Sequence, residues 1–239
     1  MQDTETLSLS GIALLQQLTP RELRELDERC SWRRVGAGEN ILDRDSDSRD
    51  VFFVVKGAVQ VKNYSASGRE IALATIAAGG FFGELAAIDQ RPRSANVNAT
   101  QPSVVASMPP AVFQELMQKH PGISLQVMQR LASVVRSADE RIMDLSTLGA
   151  VQRVCLEVVK LVRPDPAVPQ LWSIYPFPTQ VDIAGRASTT RETVARVLGH
   201  LTAEGIVKRK GKTVYVEDFE KLKAIANRSG RPEEALVVA

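Results

Sequence analysis

The chain has 239 residues, 44% of them hydrophobic and 24% charged, with 30 Lys and Arg against 28 Asp and Glu. That balance excludes a solvated charged tail or a fibrous repeat, and the length suits two domains of ordinary size. Its two cysteines, Cys30 and Cys155, are too few for a disulfide framework or an iron–sulfur cluster and lack metal-ligand spacing, so neither a disulfide nor a metal is expected.

The start, MQDTETLSLS, is acidic where a signal peptide is basic, and no apolar run approaches the roughly 18 residues that span a bilayer. A cytoplasmic protein without membrane partners is expected. Residues 1–149 hold 16 Lys and Arg against 18 Asp and Glu, and residues 150–239 hold 14 against 10. The modest positive excess therefore lies at the C-terminal end, where a polyanion would bind.

From about Cys30 to Met108, short apolar runs alternate with turn residues. Val51 to Lys62 is rich in Val and Phe around a central glycine, and Ile71 to Ile76 and Ser103 to Met108 follow in kind. This is the pattern of an antiparallel barrel or sandwich. After Pro121-Gly122 the period changes. Met128, Leu131, Val135, Ala138, Ile142 and Leu145 are spaced 3, 4, 3, 4 and 3 apart, a heptad seam on a helix of roughly 39 Å at ~1.5 Å per residue. So narrow a stripe on so long a helix predicts pairing with a second copy; packing on its own barrel is the alternative, and Ala138 is the thin point of the seam.

From Gly149, AVQRVCLEVVKLV predicts an amphipathic helix and DPAVPQ a loop. Two short helices follow in TQVDIAGRASTTRETVARVLGHL, with Thr179 and Asp182, then Thr189 and Glu192, placed as capping boxes. Two strands around Lys210-Gly211 complete a helix-turn-helix with a wing. The final NRSGRPEEALVVA is expected to be a loose tail. No catalytic constellation accompanies His120 or His200, so an enzyme is not expected.

The segment GELAAIDQRPRSANV, from Gly83 to Val97, has polar ends around an apolar centre. Together with the long helix and with TTRETVARVL, it resembles the bacterial Crp/Fnr family of transcription regulators, specifically the cyclic-AMP receptor protein branch, over about residues 12–222. The resemblance implies an α+β fold: an N-terminal cyclic-nucleotide-binding β-barrel (jelly roll), a long dimerisation helix and a C-terminal winged helix-turn-helix. Its expected boundaries are 1–120 for the sensory domain, 121–148 for the helix, 149–226 for the DNA-binding domain and 227–239 for the tail.

The resemblance places Gly83, Glu84, Leu85, Arg93 and Ser94 in a phosphate-binding cassette for cyclic AMP or cyclic GMP. The chemistry suits that placement. Glu84 can accept from a ribose 2′-hydroxyl, Arg93 can fork two N–H groups onto phosphate oxygens, Ser94 adds a hydroxyl and an amide, and Gly83 permits close backbone approach. A plain ion pair between Glu84 and Arg93 across a turn is the other reading. Base recognition is implied at Ala138 and Asp139, where relatives carry hydroxyl residues. Asp139 offers only acceptors, which suit the adenine amino group or the N1 and N2 donors of guanine, or it is a solvated flank of the seam.

At the DNA end the resemblance makes Arg191, Glu192 and Arg196 base readers, implying a palindrome related to TGTGA-N6-TCACA. Arg matches guanine N7 and O6, and Glu accepts from cytosine N4; capping is the alternative role for Glu192. Thr179, Thr190, Thr193, Lys208 and Lys212 are expected phosphate contacts. Gly199 and Ser188 depart from the family pattern, standing where a basic residue and a turn glycine are usual. Double-stranded DNA, a second copy of the chain and RNA polymerase are the implied partners. A Crp/Fnr-type regulator with a degenerate pocket that needs no ligand is the rival function.

Overall fold

The computed structural model describes residues 7–66, 68, 70–166 and 171–227. By contacts it divides into two compact units, Met1–Val135 and Arg136–Ala239.

The first unit opens with two 3-10 turns and α1 (Pro20–Glu28). Thr19 starts α1 with a capping box: its hydroxyl accepts from the Glu22 amide while the Glu22 carboxylate accepts from the Thr19 amide at 2.8 Å, and Pro20 takes the first helical position. The strands are β1 (Ser31–Val35), β2 (Asn40–Leu42), β3 (Val51–Lys56), β4 (Ala58–Tyr64), β5 (Glu70–Ala77), β6 (Phe81–Phe82), β7 (Asn96–Ala99) and β8 (Ser103–Met108). They form two antiparallel sheets, in the orders β1-β8-β3-β6 and β2-β7-β4-β5. The Val51 to Lys62 run is two strands, because Gly57 turns the chain at φ +86° where a Cβ would collide with Ser103.

Strand β3 shows how the pleat builds the unit. Phe52 and Val54 join Val59, Ile76, Phe82, Val97 and Val105 in one apolar cluster. Val51 and Phe53 point the other way, into a second cluster with Leu15, Phe113, Ile123 and Val127. That second cluster draws on α3 (Pro110–Lys119) and the first turns of α4 (Pro121–Thr147). Between β6 and β7 lies the short α2 (Glu84–Asp89), entered through Gly83.

Helix α4 buries Ile123 and Val127 in the first unit, and Leu131 packs half-buried on the same cluster. The other expected seam residues are exposed: Met128 at 57%, Val135 at 59%, Ile142 at 61% and Leu145 at 45%, with Ala138 exposed as well. Leu131 is thus the one expected seam residue that its own chain half-covers.

The second unit contains α5 (Ala150–Leu161), α6 (Gln180–Arg186), α7 (Arg191–Ala203) and α8 (Phe219–Asn227), with strands β9 (Arg163–Pro164), β10 (Trp172–Ile174), β11 (Val207–Lys210) and β12 (Thr213–Val216). The strands form one antiparallel sheet, β11-β12-β10-β9. The loop expected at DPAVPQ is thus flanked by two short strands, and residues 167–170 of it lie outside the described residues. The expected tail begins on the last residue of α8, and residues 228–239 lie outside the described residues.

One cap needs correction. Thr190, not Thr189, starts α7: the Thr190 hydroxyl accepts from the Thr193 amide at 3.2 Å. Thr189 is buried, with its amide donating to the Ala184 carbonyl. Of two adjacent threonines, the chain packs one inward and uses the other as the cap. The Thr179 box on α6 forms with Asp182 as expected.

Candidate functional site

Gly83 is left-handed, φ +85° and ψ 5°, at the junction of β6 and α2. A Cβ there would lie 2.7 Å from an Arg93 Nη1 and 2.9 Å from the Asp50 carbonyl oxygen, so only glycine fits. Arg93 itself is 3% exposed. Its Nε donates to the Ser48 hydroxyl at 3.0 Å, Nη1 to the Gly83 carbonyl at 2.8 Å and Nη2 to the Asp50 carbonyl at 2.7 Å. Its guanidinium carbon stands 5.7 Å from the centre of the Phe52 ring. Burial lowers the Arg93 pKa from its ordinary value, an effect opposed by the negative charges of Asp50 and Glu84.

Glu84 is 8% exposed, and its carboxylate faces Arg130 of α4, Oε1 to Nε, at 3.8 Å. Arg130 donates from Nη2 to the Phe81 carbonyl at 2.9 Å and lies 4.6 Å over the Phe81 ring, while its buried Nε makes no hydrogen bond among the described residues. Gly83, Glu84 and Arg93 are therefore brought together at one end of the strand array. Leu85 and Ser94 are more exposed; the Ser94 carbonyl accepts from the Asn63 side chain at 3.1 Å. Ala138 and Asp139 belong to the second unit, on the exposed stretch of α4.

Sequence reasoning missed Ser48, Asp50 and Arg130. The first two sit in DRDSDSRD, which reads only as a turn. Arg130 follows Glu84 by 46 positions, and no periodicity pairs them.

In the second unit, α7 buries Val194, Val197 and Leu201, spaced as one helical face. That leaves Glu192 and Arg196 exposed on the opposite side and Arg191 exposed on its flank. Glu192 has its pKa lowered, by hydrogen bonds from its own backbone amide and from the Thr190 side chain and by the nearby Arg191 charge. It is an acceptor at neutral pH. Thr179 spends both its donors on Asp182, the amide at 3.1 Å and the hydroxyl at 2.6 Å, so a phosphate contact there requires the box to open. The hydroxyls of Thr190 and Thr193 lie 3.1 Å apart, one donating to the other. Lys208 and Lys212 are exposed on the wing.

The turn between α6 and α7 carries Ser188 at φ +50°, the left-handed conformation that a glycine would adopt more easily. Two arginines hold it. Arg141 donates to the Ser188 hydroxyl at 2.9 Å and to the Gly185 carbonyl at 3.1 Å, and Arg153 donates from Nε to the Ala187 carbonyl at 2.9 Å.

A cyclic nucleotide-binding domain family matches residues 32–120, and a Crp-like helix-turn-helix domain family matches residues 152–225. The chain is 30% identical over 205 residues to the cAMP-activated global transcriptional regulator Vfr of Pseudomonas aeruginosa, which covers 83% of this chain and 95% of that protein. It is 24% identical over 188 residues to the cAMP-activated global transcriptional regulator CRP of Haemophilus influenzae, covering 78% and 84% respectively. Among solved structures, the catabolite activator protein of Thermus thermophilus aligns at TM-score 0.51 and 27% identity, over 89% of this chain and 97% of that one. A CooA variant from Carboxydothermus hydrogenoformans aligns at TM-score 0.72 and 22% identity, over 83% and 88%, a likeness of fold. With both halves matched in the expected order, the chain belongs to the Crp/Fnr family of transcription regulators, on its cyclic-AMP receptor protein branch.

Proposed function

We propose that this protein is a homodimeric, cyclic-nucleotide-dependent transcription factor of the cytoplasm that binds a palindromic operator resembling TGTGA-N6-TCACA. Cyclic AMP or cyclic GMP is its allosteric ligand, with Glu84 on the ribose 2′-hydroxyl and Arg93 and Ser94 on the cyclic phosphate. The observation that carries this reading is the grouping of a buried guanidinium, a buried carboxylate and an obligatory glycine at residues 83–93. Arg191, Glu192 and Arg196 read bases, while Lys208 and Lys212, with Thr190 and Thr193, touch phosphates. The exposed apolar residues of α4, Met128, Val135, Ile142 and Leu145, support pairing with a second copy. RNA polymerase is the partner that a promoter-bound regulator of this family implies.

Nucleotide and operator must then tighten each other's binding by the same factor. Calorimetric titration of the purified protein with cyclic AMP and with cyclic GMP tests this reading and decides the base. A second reading has its own support. Three of the five N–H donors of Arg93 are already engaged by Ser48, Gly83 and Asp50, and Glu84 already faces Arg130, as a regulator that needs no ligand would have them. No heat with either nucleotide, and operator binding unchanged by both, selects that alternative.

A further inference from the structure

The wing hairpin has two faces, and only one looks toward the helix-turn-helix. In the β11/β12 register, Val207 pairs with Val216 and Arg209 with Val214, while Lys208 pairs with Tyr215 and Lys210 with Thr213. Paired residues of an antiparallel ladder share a face, and successive residues alternate. Val207, Val214 and Val216 are buried in the second unit's core, so Arg209 projects on the core side of the hairpin, beyond the point where the apolar core ends. Lys208 and Lys210 project on the other side.

There Arg209 lines a cleft of ≈ 320 Å³ together with Phe177, Thr179, Gln180 and Arg191. The hairpin tip that presents it is fixed from both ends: the Phe177 amide donates to the Lys212 carbonyl at 2.9 Å, and Arg209 Nε donates to the Gly211 carbonyl at 3.2 Å. Two arginines, one from the start of α7 and one from the wing, thus line one cleft. Like charges brought to one opening, with no carboxylate among the lining residues, suit a polyanion's phosphate.

We infer that Arg209 is a DNA-binding residue, a wing contact to a backbone phosphate flanking the half-site, presented beside Arg191 by the hairpin's pleat. The inference rests on the DNA-binding reading and adds to it a residue that sequence reasoning passed over in favour of Lys208.

The test is fluorescence anisotropy of labelled duplexes, one carrying the TGTGA and TCACA half-sites and one with both scrambled, across a range of salt concentrations, with and without cyclic AMP. Arg209→Ala should weaken binding to both duplexes by the same factor. It should also flatten the log–log salt dependence by about 0.9 for each phosphate lost, so about two for a dimer. Arg209→Glu should weaken binding further. Wild-type slope in Arg209→Ala, or a slope lost only in Lys208→Ala, overturns the inference while leaving the DNA-binding reading intact. Failure of the wild-type protein to bind either duplex overturns both.

Discussion

Replacing Gly83 by alanine separates two effects that this structure joins at one residue. The left-handed backbone, φ +85°, costs an alanine about 1–2 kcal/mol. The new Cβ would also sit 2.7 Å from Arg93 Nη1 and 2.9 Å from the Asp50 carbonyl. The carbonyl belongs to backbone and cannot retreat, so the guanidinium is displaced and its hydrogen bond to Gly83 is lost, about 1.5–3 kcal/mol for a charged donor. The expected total is about 2.5–5 kcal/mol. Gly38 is a built-in control, because its φ is +83° and, among the described residues, none beyond its chain neighbours comes within 4 Å of the corresponding Cβ. Gly38→Ala should show the backbone cost alone, and the difference between the two variants isolates the Arg93 contact at about 1.5–3 kcal/mol. The chain has two tryptophans, Trp32 and Trp172, one in each unit. Urea unfolding followed through Trp32 in a Trp172→Phe background therefore reports on the first unit. With a slope of about 2 kcal/mol/M, the midpoint of Gly83→Ala should fall about 1 M below that of Gly38→Ala. Equal midpoints would refute the argument that Gly83 is required by its neighbours.

Glu192→Ala should relax discrimination at one base pair of each half-site by roughly ten- to hundred-fold, read from relative affinities for a panel of operator variants; an unchanged ranking at every position would show that it reads nothing. Glu115 has its pKa lowered to about 2 by hydrogen bonds from Lys119 and Arg29. A depressed carboxylate contributes stability that is present above its ordinary value of 4.5 and is lost as pH falls toward 2. The difference in melting temperature between wild type and Glu115→Gln should accordingly be present at neutral pH and vanish by about pH 2, and a difference that persists there would place the effect elsewhere. Gly199 lies inside α7 with nothing within 4 Å of a built Cβ. Gly199→Ala should stabilise the second unit by about 0.5–1 kcal/mol, measured as a shift in denaturant midpoint reported by Trp172.

What the sequence revealed and what it concealed divide along physical lines. Helix α4 was legible because a seven-residue repeat persists across it, and α6 because Thr179 and Asp182 announce their box. The same signal at Thr19 and Glu22, with Pro20 between them, marked α1 and was passed over. Asp218, whose carboxylate accepts from the Lys221 amide at 2.8 Å, likewise marked the start of α8. Other features left no local trace. Strands β9 and β10 are two and three residues long, too short for any period to show. The choice between Thr189 and Thr190 as cap depends on which one the core buries. The approach of Arg130 on α4 to Glu84 on α2, and the hydrogen bonds of Arg93 to Ser48 and Asp50 in the loop before β3, join residues distant in the chain and arise only when it folds. The wing shows the same limit, since its basic residues are consecutive and only the pairing register shows which one faces inward.

The two arginines that grip the turn at Ser188 bear on what can move. Arg141 reaches it from α4 and Arg153 from α5, so the last turns of α4 are tied to the joint between α6 and α7. Within the second unit, side-chain hydrogen bonds from two helices therefore restrain the turn at Ser188. Removing one of the two arginines should leave the exposed residues of α7 chemically complete while loosening the turn that positions them.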